Sequence, residues 1–155
     1  MAKIFKLLLL IFGISTLFIS CNLFDAGTHG MIKQYTFSVS KYELEKVINK
    51  VIAITSNIYR DTSKHDYYND GSAYVTIKIG AKNNPSEYIF RYYGDEEMWK
   101  VSPHQSEIFV CYAYNSDRNG GKDGDARLTP IIRKQLTDLF EVAFVEKVNA
   151  ELEHK

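Results

Sequence analysis

The residues with the most obvious chemical potential fall in one loop. Asn115 to Asp125 reads Asn-Ser-Asp-Arg-Asn-Gly-Gly-Lys-Asp-Gly-Asp, with oxygen donors at Asp117, Asn119, Asp123 and Asp125. Hard cations such as calcium take several oxygens around a glycine-enabled bend. Counted from Asp117, however, the fifth position is Gly121 and the sixth is Lys122, where a twelve-residue calcium loop needs glycine. The twelfth is Leu128 instead of a bidentate glutamate, and Arg118 and Lys122 add positive charge. A solvated turn is the better reading, and these four residues are weak metal candidates.

Other chemistries have less support. His29, His65, His104 and His154 are not spaced as helix-borne metal ligands, and no His-Glu-x-x-His occurs. Asp95, Glu96 and Glu97 cluster beside a turn without an identifiable second catalytic group. No Gly-x-Ser-x-Gly elbow is present, and Gly120-Gly121 lacks the Gly-Lys-Ser/Thr continuation of a phosphate loop. Cys111 lies in the apolar run Ile108-Phe109-Val110-Cys111-Tyr112, with no basic neighbour in sequence to lower its pKa. It reads as a buried thiol. The sequence thus points to a protein that is not an enzyme and needs no cofactor. What remains is aromatic: 11 Tyr, 9 Phe and the single Trp99. Tyr88, Tyr92, Trp99, Tyr112 and Tyr114 form the candidate binding face, because Tyr and Trp favour binding surfaces. The competing and preferred reading is that they pack and rim a sheet.

The elements that would position these residues follow from periodicity. Tyr35, Phe37 and Val39 alternate with Gln34, Thr36 and Ser38, the pattern of a half-buried strand. Ser40 and Glu43 form a capping box, and Leu44, Val47, Ile48, Val51, Ile52 and Ile58 make the stripe of a helix running to about Ile58. Residues 59–71 read as a loop. Strands are expected over 73–79, 88–93, 98–101 and 107–115, with Tyr88, Phe90 and Tyr92 sharing a face. The last strand is apolar on both faces, Ile108, Val110, Tyr112 and Tyr114 alternating with Phe109, Cys111 and Ala113, so it should be central. After a Gly/Asp loop, Thr129-Pro130 opens a final helix whose stripe is Leu136, Leu139, Phe140, Ala143, Phe144 and Val148. The expected fold is α+β: an antiparallel sheet of about five strands with two helices packed on one face, in the order β-α-β-β-β-β-α.

The first 21 residues are of a different kind. Lys3 and Lys6 precede an apolar run from Leu7 to Ile19, which is signal-peptide length and short of the ~20 residues that span a bilayer. It ends in Leu17-Phe18-Ile19-Ser20-Cys21. This stretch resembles the lipobox of bacterial lipoproteins, with Phe18 where the pattern usually has Leu. The resemblance implies cleavage before Cys21, a diacylglyceryl thioether on its sulfur and a fatty acid such as palmitate on the new N-terminus. The expected organisation is a signal peptide over 1–20, a lipidated tether over 21–32 and one α+β domain over 33–155. The tether reaches at most ~36–40 Å.

Removing residues 1–20 takes away two of 19 basic and none of 19 acidic side chains, leaving 17 against 19, a formal charge of −2. That balance argues against nucleic acid as a partner. The expected setting is the cell envelope, with the protein held by lipid at the outer membrane and facing the periplasm. The expected role is to bind another protein, as envelope assembly, inhibitor or immunity proteins do. The alternative is a small apolar ligand. The element order is loosely similar to the helix-grip layout, which would place an apolar cavity of ~300 Å³ or more between sheet and last helix.

Overall fold

The computed structural model of the chain describes residues 30–63 and 74–154. Cys21 and the rest of the lipobox, His29 and His65 lie outside them. Among the described residues no helix is long and apolar enough to cross a membrane.

The architecture is α+β. Strand β1 (Lys33–Phe37) leads into helix α1 (Lys41–Ile54), followed by β2 (Ile58–Arg60), β3 (Val75–Ile79) and β4 (Ser86–Tyr92). A short helix α2 (Glu96–Val101) precedes β5 (Ser106–Tyr114) and the two-residue β6 (Gly120–Gly121). The chain closes with α3 (Pro130–Phe140), a π turn (Glu141–Val145) and α4 (Glu146–Glu153). The strand order is β1-β5-β4-β3-β2, every pair antiparallel, with β6 folded back on β5. β5 is an interior strand, between β1 and β4, as its two apolar faces require, although β4 holds the middle of the order. The helix α1 carries the chain from one edge of this sheet to the other.

Three expectations are corrected. Helix α1 stops at Ile54, and Ile58 begins a strand, pairing with Ile79. Thr55 ends the helix in an extended conformation, its amide bonded to Val51 O. Residues 98–101 are helical, not extended, because Asp95 Oδ1 caps the amides of Glu97 and Met98 and no strand among the described residues pairs with them. The alternation of β5 breaks where the β4 partner shifts from Tyr112, opposite Ile89, to Val110, opposite Phe90. This bulge inserts one extra residue and reverses the faces beyond it. Ala113, not Tyr112, therefore joins Ile108 and Val110 in the main core, while Tyr112 packs with Phe109 and Cys111 on the other side.

Both long helical segments bury their stripes on one sheet face. Leu44, Val47, Ile48 and Val51 of α1 meet Ile77, Ile79, Tyr88, Phe90 and Ile108 of the sheet, and Leu136, Phe140, Phe144 and Val148 complete the core. These last four are spaced every four residues. In an ideal α-helix each such step overshoots a full turn by about 40°, so the stripe would drift off the sheet. The wider π turn absorbs that drift, and the Phe140 and Phe144 rings stay in tilted contact 5.0 Å apart with Phe140 4.9 Å from Tyr88. The Tyr88 hydroxyl donates to Leu136 O at 2.9 Å, tying sheet to helix.

Candidate functional site

One corner of the molecule gathers aromatic and charged side chains from four elements: the start of α1, the end of β4, α2 and the start of β5. Capping by Ser40, whose hydroxyl accepts from Glu43 N, sets Lys41 and Tyr42 on the first turn of α1. At the other side Gly94, with φ of 91°, turns the chain from β4 into α2. A side chain there would sit 3.1 Å from Trp99 Nε1 and 3.3 Å from Met98 Cβ, so the turn needs glycine for conformation and for space.

Trp99 is held by its indole N–H, which donates to Tyr93 O at 2.6 Å. Tyr42 meets it edge-on at 6.5 Å between ring centroids, and its hydroxyl donates to Glu96 at 2.7 Å. That hydrogen bond raises the pKa of the Tyr42 phenol. Lys41 Nζ lies 4.5 Å from the Trp99 ring centroid and 5.1 Å from those of Tyr42 and Tyr92, while pairing with Glu45 at 2.8 Å. The corner is already a cation–π arrangement. None of the residues of α2 is buried. Tyr42, Tyr93 and Met98 stand about two-fifths exposed, and Val101 is 79% exposed.

Beside α2 runs a cleft of about 170 Å³ lined by Tyr93, Met98, Trp99, Ser102, Gln105, Ser106 and Glu107. Ser106 is only 7% exposed, and its hydroxyl has no hydrogen-bond partner among the described residues. A buried polar group left so costs ~1–3 kcal/mol. Glu107 accepts from Gln34 Nε2 at 2.6 Å and Gln105 Nε2 at 3.2 Å. Both are neutral donors, and no described cation is ion-paired with its charge.

The candidate binding residues do not share one face. Tyr88 is core. Tyr92 packs half-buried against that core, where burial raises its pKa. Trp99 belongs to the α2 corner, and Tyr112 and Tyr114 lie across the sheet, with Arg118 stacked 4.9 Å from the Tyr114 ring. Only Tyr92 and Trp99 come together, through Lys41. The sequence pattern does not single out Lys41, Tyr42, Met98, Ser106 or Glu107, all of which the structure brings to this corner. Asp95 followed by Glu96 and Glu97 was the available signal, since it is a helix N-terminus pattern.

Of the four candidate loop ligands, Asp123 and Asp125 are engaged with neighbouring arginines, and Asn119 is held through its backbone amide. Asn115 Oδ1 accepts from Asn119 N at 2.8 Å, Asp123 is paired with Arg133, and Asp125 Oδ1 accepts from Arg127 N at 3.1 Å. Among the described residues no group of three or more His, Cys, Asp or Glu is placed to hold a metal. Between the sheet and α3, Tyr35, Tyr88, Val110, Ala113, Leu136 and Phe140 close on one another and leave about 0 Å³ for a water-sized guest.

Compared with known proteins, the chain matches no family model, no curated sequence and no solved structure. The functional reading therefore stands on its own geometry.

Proposed function

We propose that this is a lipid-anchored cell-envelope protein whose domain binds another protein, without catalysis, through the α2 corner. The observation that carries the reading is the contiguous exposure of Tyr42, Tyr93, Met98 and Val101 around a fixed tryptophan. Met98 and Val101 are three apart and share a helix side. Exposed aromatic and methionine side chains are enriched at the centres of protein interfaces, and the charged residues around them suit the polar rim.

Placement favours a protein over the bilayer. The described chain begins at Gly30, packed beside Asp123, and β1 then runs away from that end until Phe37 pairs with Ser106. The corner lies beyond Ser106, on the order of 20 Å from Gly30 at the usual strand rise. The described chain therefore enters the domain at the end opposite the corner. The alternative of a small apolar ligand draws no support from the packed contact of Tyr35, Tyr88, Val110, Leu136 and Phe140, and the open depression of about 510 Å³ between β1 and α3 is lined by the charged Lys33, Arg133, Lys134 and Asp138.

The test is photo-crosslinking in intact membranes from a reactive residue at Lys100, beside Val101. A reproducible one-to-one adduct, lost when Val101→Glu is added, is the expected result. No adduct would refute the reading. A blue shift of Trp99 fluorescence on addition of anionic vesicles, without an adduct, would assign the corner to the bilayer instead.

A further inference from the structure

We infer that the cleft beside α2 receives a basic side chain, lysine or arginine, presented by the protein partner; this rests on the protein-binding reading above. Size is the first argument. At about 170 Å³ the cleft is below the ~300–1,000 Å³ of small-molecule and cofactor sites, yet it has room for several waters at ~30 Å³ each. That suits one long side chain.

The lining is the second argument. Tyr93, Met98 and Trp99 supply apolar and aromatic walls along which the stem of a lysine or arginine can lie. Indole and phenol faces attract the cationic head. Trp99 already holds Lys41 in this way at 4.5 Å from its ring.

Charge is the third. Glu107 lines the cleft with no paired cation among the described residues. Asp95, Glu96 and Glu97 stand on the adjoining turn of α2. The nearby cations are Lys41, committed to Glu45 at 2.8 Å, Lys100 on the last turn of α2, and Arg91, which is opposite Phe109 on the face that carries Glu107 with its guanidinium 5.9 Å from the Phe109 ring; none of the three lines the cleft. An incoming ammonium or guanidinium meets a net negative rim. The unpartnered Ser106 hydroxyl in the lining gives it a second oxygen acceptor. A neutral or acidic side chain would leave Glu107 unneutralised, so specificity follows from charge as well as fit.

Trp99 is the only tryptophan in the chain, so its indole N–H gives one unambiguous nuclear magnetic resonance signal. The probes are capped tripeptides Gly-Arg-Gly, Gly-Lys-Gly and Gly-norleucine-Gly, titrated against the folded protein. The two basic peptides should shift that signal saturably with affinities on the order of millimolar, weakening as salt rises. Norleucine should shift it at least tenfold less. Glu107→Gln should weaken the basic peptides by about tenfold, the loss of a charge-assisted contact, with the backbone amide spectrum otherwise unchanged. Ser106→Ala should weaken them less. Equal shifts from norleucine, or no shift from any peptide, would overturn the proposal. In the membrane crosslink, an adduct abolished by Val101→Glu but unaltered by Glu107→Gln would leave the protein-binding reading standing and remove this one. Peptide binding without any adduct would do the reverse to the partner while retaining the cation site.

Discussion

Cys111 and Asp61 show how much a single side chain owes to its surroundings. Burial pushes the Cys111 thiol up to about 11, so it stays protonated and inert at neutral pH. Its apolar neighbours in sequence foretold this. Asp61 could not be read the same way. Hydrogen bonds from Lys78, at 2.7 Å, and from the Ser63 hydroxyl and amide hold its carboxyl well below the usual carboxylate range. A carboxyl whose folded pKa is depressed adds stability that is complete above the unfolded value of ~3.9 and fades as pH falls through the folded one. The pair sits on the sheet between β2 and β3, so Asp61→Asn should cost about 1 kcal/mol at neutral pH. Urea titrations should show the difference between the two proteins constant above about pH 5 and shrinking below about pH 4. A difference that grows on acidification would be the wrong sign for this account.

At the scale of elements, the last helix decides the core. Its four-residue apolar spacing was plain in the sequence, but the π turn that makes the spacing work was not. It arises because the sheet offers one fixed surface to Leu136, Phe140, Phe144 and Val148 together. Phe144 is fully buried and touches the rings of Phe140 and Phe90, at 5.0 and 5.7 Å. Phe144→Ala should lower unfolding free energy by ~3–5 kcal/mol. Lys33 and the Tyr35 hydroxyl both reach Glu141 within the π turn, bracing it against β1. The Phe144→Ala loss should therefore far exceed that of Val142→Ala, which is 61% exposed. Similar losses for both would mean that the stripe is not what packs.

At the scale of the whole molecule, the proposal places an anchor at one end of the sheet and a binding corner at the other. The chain comes in beside Asp123 and the corner closes around Ser106. If Cys21 carries lipid, the tether keeps the corner within a few tens of ångströms of the bilayer, where a partner at that surface can reach it. Cys21→Ser should move the protein from the membrane to the soluble fraction on cell fractionation. The domain should keep its melting temperature and its peptide shifts at Trp99, since Cys21 is remote from the corner in sequence. Persistence of the variant in membranes would refute lipid anchoring at this residue.

Fold class, the interior place of β5, the capped starts of α1 and α3 and the buried thiol were legible in the sequence, because each depends on neighbours a few residues away. The expectation of a lipid anchor came from the same local kind of pattern. Tertiary structure alone decided the rest. A bulge set by pairing with β4 turned Tyr112 and Tyr114 away from Tyr88 and Tyr92, dispersing the aromatic face that alternation implied. Residues 98–101 became a helix because Asp95 caps their first turn and no strand among the described residues lies alongside to take their hydrogen bonds. The α2 corner joins Tyr42, Trp99 and Glu107 across 65 residues of chain. Contacts between segments so far apart follow from the packing of the sheet and helices, which no local pattern encodes.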